Sequence, residues 1–216
     1  VIYRWSYSSC PLGAGTACSR VTARQWIRAD PHNLLPWSAL LAEDPSAQAE
    51  ALHGLSLART SESRQGWLVA LVEGAMPDDV PPYLRASVLL QVIGLDARLP
   101  VSPTGVTQAC SKDAVSDPNR RQQCEAIARV MLSHGDDLLT ASQGFAVGLS
   151  LGWSVERLRE LSGETRALAM VAAQRPVVDP LQPFSCESVA RLRQWAKRQG
   201  AVGELAGLRR EAGLQR

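Results

Sequence analysis

Apolar positions recur at intervals of three and four along most of this chain, the spacing that lines them up on one face of a helix. Asn33 precedes Leu34, Trp37, Leu40 and Leu41, and Asp44-Pro45 precedes Ala51, Leu52, Leu55 and Ala58. Both openings are helix starts, because an Asx side chain accepts from a free backbone N–H and proline fits the first turn. An earlier helix is predicted from a cap at Thr16 or Ser19 through Ala29, with Val21, Ala23 and Trp26-Ile27 as its apolar positions. Ser61 or Ser63 is expected to open a helix carrying Trp67, Leu68, Leu71 and Val72 and ending near Gly74. Pro82 opens the next, with Leu84, Val88, Leu89, Val92 and Ile93.

After a break at Leu99-Pro100 to Pro103, Asp117-Pro118 begins a helix with Cys124, Ile127 and Met131 on one face. The polar run Ser133-His134-Gly135-Asp136-Asp137 reads as the cap of helix 138–152. A long helix from Ser154, holding Leu158, Leu161, Leu168 and Val171, is expected to lead into the linker RPVVDPLQP. Ser185 then starts a helix that Gly200 should end, and a short one follows over 202–214. No segment shows the two-residue alternation of a half-buried strand. The expected fold is all-α: an array of antiparallel helical hairpins in a single domain over 1–216, with a subdivision into 1–100 and 101–216.

Helix 138–152 has one unusual face, on which Gly144, Gly148 and Gly152 step by four. An interior glycine costs about 1 kcal/mol relative to alanine. The stripe is therefore expected to be a close-packing groove, filled by another helix of this chain or by a partner's.

Cysteines add a constraint that periodicity does not. Cys10 and Cys18 bracket the Gly/Pro-rich loop CPLGAGTAC, and Cys110 and Cys124 bracket a polar loop. Two disulfides with these pairings are expected, although five cysteines also allow Cys110 or Cys124 to pair with Cys186. No CxxC and no zinc-type His spacing occurs. Disulfides persist in oxidising compartments, so a periplasmic or otherwise exported location is expected. An opening at Val1 instead of methionine suits a product from which a signal peptide has been removed. Cys186 is left over, and a buried structural thiol is the expected state for it.

Composition narrows the partners. A formal net charge of +2 gives no pull toward nucleic acid, and no apolar run is long enough to span a bilayer. Hydrophobic residues at 45% with charged ones at 20% fit a folded globular chain. Only Lys112 and Lys197 of the 23 basic residues are lysines, a bias typical of GC-rich genomes.

No GxGxxG, P-loop, HExxH or GxSxG is present, so no catalytic residue, cofactor or metal ligand is assigned. His134, Asp136 and Asp137 could offer metal donors but read as a helix cap. Glu73 with Asp78 and Asp79, or Glu156 with Glu160, are the carboxylates that a glycan hydrolase would need to pair. Of six tryptophans, Trp26, Trp37, Trp67, Trp153 and Trp195 fall on apolar faces, and Trp5 is the one expected to be available for docking.

The stretch DPHNLLPWSALLAEDPSAQAEALHGLSLA resembles a tetratricopeptide-type hairpin in its Asp30-Pro31…Asn33 turn, Trp37 and Leu40, and small Ala47 and Ala51. The 34-residue period of that family does not return. More broadly, the export-type cysteines, the Arg/Ala/Leu-rich helices and the Cys124…Gly152-Trp153 pattern resemble poorly characterised exported all-helical proteins of GC-rich gammaproteobacteria. Some proteins of that kind are immunity proteins. The resemblance implies a non-catalytic protein-binding module whose partner is a toxin delivered by a bacterial secretion system and encoded by a neighbouring gene. The alternatives are a cell-envelope glycan hydrolase and a structural envelope subunit, for which Cys186 would supply the bridge of a homodimer.

Overall fold

The computed structural model describes residues 22–64, 66–98, 104–163, 168–169, 179, 181–202 and 204–211. These form an all-helical protein, and no strand occurs among them. They belong to two compact units that interleave along the chain: Val1–Ser63 with Leu99–Glu164, and Arg64–Arg98 with Thr165–Arg216. The division expected at residue 100 therefore does not describe the units, because the chain also crosses between them after Ser63 and after Glu164.

The first unit holds α1 (Ala23–Ala29), α2 (Leu34–Glu43) and α3 (Gln48–Leu57), then, after the excursion into the other unit, α6 (Thr104–Ala109), α7 (Pro118–His134), α8 (Leu138–Ser150) and α9 (Val155–Ser162). Local chemistry sets most of their starts. Thr22 caps α1 in a reciprocal pair with Gln25, so the cap lies closer to the helix than the expected Thr16 or Ser19. Asn33, Asp117, Asp137 and Ser154 each accept from a backbone N–H in the first turn of α2, α7, α8 and α9. The α9 helix stops at Ser162 instead of running on to Val171, because Gly163 takes φ +53°. A side chain there would be strained, and this backbone cannot continue a right-handed helix.

The α2 and α3 helices pack on one another, with α1 and α6 flanking α2, and α3 also rests on α7. The long α7 lies along α8, and α9 packs against both. Their shared core includes Leu34, Leu40, Leu52, Leu55, Ile127, Met131 and Leu158, all buried. Each such leucine contributes about 1.5–3 kcal/mol through removal of apolar surface from water. Trp37 stacks over the bare backbone of Gly54 and donates its indole N–H to the Pro31 carbonyl at 2.9 Å.

The second unit holds α4 (Trp67–Ala75), α5 (Pro82–Arg98), α10 (Cys186–Val202) and α11 (Glu204–Glu211). Here α10 packs along α4 and α5 around Val69, Leu89, Leu192 and Ala196. Gly200 does not end α10, which continues to Val202. Nor do Ser61 and Ser63 cap α4, which begins after Gly66 at φ +83° with no side-chain cap.

Candidate functional site

Four features could carry function, and each is built by a different part of the fold. The first is a strap, residues 58–63, threaded through the first unit. Leu34 donates to the Thr60 carbonyl at 2.8 Å, Ser61 donates to the His134 carbonyl and Asp136 donates back to the Ser61 carbonyl, both at 3.1 Å. Asn33, only 3% exposed, binds the strap twice through its side chain. Its Oδ1 accepts from Leu35 and Glu62, while its Nδ2 donates to Asp30 Oδ2 and to the Glu62 carbonyl. Ser63 donates its backbone N–H to Asp136 Oδ1 at 2.7 Å, and Asp137 caps α8 by accepting from the N–H and hydroxyl of Thr140. The His134–Asp137 break is thus occupied by capping and by the strap. Among the described residues no group of three His, Cys, Asp or Glu is arranged to hold a metal ion.

The second feature is the Cys110–Cys124 disulfide, with Cα atoms 5.7 Å apart and both residues fully buried. It fastens the end of α6 to the second turn of α7. Arginines of α7 reinforce the junction: Arg120 donates to the Ala109 carbonyl and Arg121 to the Leu151 carbonyl, satisfying helix-end acceptors. Cys10, Cys18 and Trp5 lie outside the described residues. Cys186 is free and exposed at the start of α10, contrary to the buried thiol expected. The reason is positional: it occupies the first turn, and the core face of that helix begins with Ser188 and Val189.

The third feature is the glycine stripe, and the first unit's own helices occupy it. A methyl at Gly144 would lie 2.8 Å from Met131 Cβ and 3.1 Å from Leu132 Cγ, both on α7. At Gly148 it would overlap Leu158 of α9 and lie 3.0 Å from the Trp153 ring. Gly152 has nothing within 4 Å and turns the chain at φ +76°, so it ends α8 instead of lining the contact. Trp153 is buried beneath Arg157, whose guanidinium sits 4.3 Å from the ring centre.

The fourth feature is in the second unit. Glu73, its side chain 1% exposed, accepts from Arg85 Nη1 at 3.1 Å and from Arg193 Nε at 2.7 Å. Arg85, equally buried, also donates to the Pro77 carbonyl and so ties the 77–81 turn to the cluster. Arg193 reaches Asp78, which is fully exposed, at 3.8 Å. Each oxygen of the Glu73 carboxylate thus accepts from a different guanidinium, an arrangement of charge-assisted hydrogen bonds. Glu73 and Asp78 are therefore joined through Arg193 in an ion-pair network. Glu156 and Glu160 are exposed on one helix, and the Glu156 carboxyl is held below the usual range by its own backbone N–H and by the Ser154 hydroxyl. His32, His53 and His134 are all exposed.

Sequence reasoning missed this network, although a signal existed. Glu73 is four residues after Val69, and Arg85 four before Leu89, so both charges are in phase with an apolar stripe. On α5, the opposite side leaves Tyr83, Leu84 and Val88 exposed by 59%, 44% and 38%. No helix among the described residues is long and apolar enough to cross a membrane. Compared with protein families, curated proteins and solved structures, the chain matches none of them.

Proposed function

We propose that this chain is an exported protein-binding module, most concretely an immunity or inhibitor protein that neutralises a secreted antibacterial effector in the periplasm. The observation that carries the binding role is the exposed apolar side of α5, where Leu84 and Val88 share a face and Tyr83 adjoins them. Large apolar and aromatic side chains left in water are what a partner's desolvated contact would use. The buried Cys110–Cys124 bridge supports the export half of the reading, since such bonds persist in oxidising compartments. The α2–α3 pair, with Trp37 seated on Gly54, is read as a tetratricopeptide-like hairpin serving as scaffold.

Co-expression with the product of the adjacent gene tests the proposal. The full chain is expected to co-purify with that product and to relieve its toxicity. A Leu84→Glu/Val88→Glu variant should keep its helical circular dichroism and melting temperature yet bind at least about tenfold more weakly, the scale of a lost hot spot. Failure to hold any neighbour's product would overturn the immunity role, and undiminished binding by the variant would remove α5 as the contact. Non-reducing electrophoresis of the same samples reads the second arrangement that exposed Cys186 favours, a cross-linked envelope subunit. A purely monomeric band removes it.

A further inference from the structure

We draw no further inference here: the strongest candidate, the exposed apolar patch of Tyr83, Leu84 and Val88 on the α5 helix that also carries buried Arg85, has nothing in the structure to show what covers it beyond the partner already proposed.

Discussion

At the scale of single residues, two glycines make opposite demands on the same substitution. Gly94 lies inside α5 with nothing within 4 Å of an added methyl, so Gly94→Ala meets no obstacle. It is expected to stabilise by roughly 0.5–1 kcal/mol through the lower conformational entropy of the unfolded chain. Gly144→Ala earns the same propensity gain but places its methyl 2.8 Å from Met131 Cβ and 3.3 Å from the Leu132 backbone nitrogen. Neither atom can move without α7. Overpacking of this kind costs roughly 1–3 kcal/mol, so the packing effect should win. Thermal melts should rank Gly94→Ala above the parent and Gly144→Ala below it; a Gly144→Ala melt at or above the parent's would refute the close contact. Asp44 offers a test by pH. The Ser46 hydroxyl, then the backbone N–H groups of Ser46 and Ala47 and the charge of Arg24, hold its carboxyl below the ordinary range. A depressed carboxyl stabilises the fold above its unfolded-state pKa, and that contribution is lost as pH falls through the folded value. Carboxyl-carbon NMR of Asp44 should show a midpoint below that of free aspartate. Ser46→Ala should move it upward, and an unmoved midpoint would show that the hydroxyl is not the main cause.

At the scale of elements, what was legible was what is local. Asn33, Asp117, Asp137 and Ser154 announce helix starts because a cap is a contact across two or three residues. Ser61 and Ser63 carry the same residue type and do something else. Their partners are His134 and Asp136, more than 70 positions away, and no window of sequence contains both sides of that contact. The Asn33 side chain shows both cases at once, capping α2 as its type suggests and holding the strap as its type does not reveal. Cys110–Cys124 was legible because the bracketed loop is short. Its closure spans 14 residues, for which the chain-entropy account gives about 3 kcal/mol. Replacing both cysteines by alanine should therefore lower the unfolding free energy by about 2–4 kcal/mol, read as a shifted urea midpoint. A midpoint within error of the oxidised parent's would mean that the bridge restrains nothing the folded packing does not already fix.

At the scale of the molecule, chain order and unit membership part company. The proline-bearing breaks read in the sequence at residues 99–103 and 175–183 do not say which helices pack together. That depends on contacts such as Arg193 with Glu73, 120 residues apart. The second unit is assembled from two distant stretches, and its small apolar centre of Val69, Leu89, Leu192 and Ala196 sits with a charged cluster that touches all three of its main helices. Burying a pair of charges such as Glu73 and Arg85 is seldom a net gain over packed apolar groups, because each must be stripped of water, whereas Arg193 stays half-buried. The cluster's effect should instead appear when it is broken unevenly. Glu73→Ala leaves Arg85, with 3% of its side chain exposed, facing no carboxylate, which should cost about 3–5 kcal/mol. Replacing all three at once, as Glu73→Leu with Arg85→Met and Arg193→Met, removes the charges together and should restore most of that loss. Amide exchange in α4, α5 and α10 separates the outcomes: protection should fall sharply in the single variant and return in the triple one. If Glu73→Ala exchanges like the parent, Arg85 is not a buried charge in solution. If the triple variant is as unprotected as the single one, the ion pairs contribute more than their desolvation costs, and the second unit depends on them for its stability.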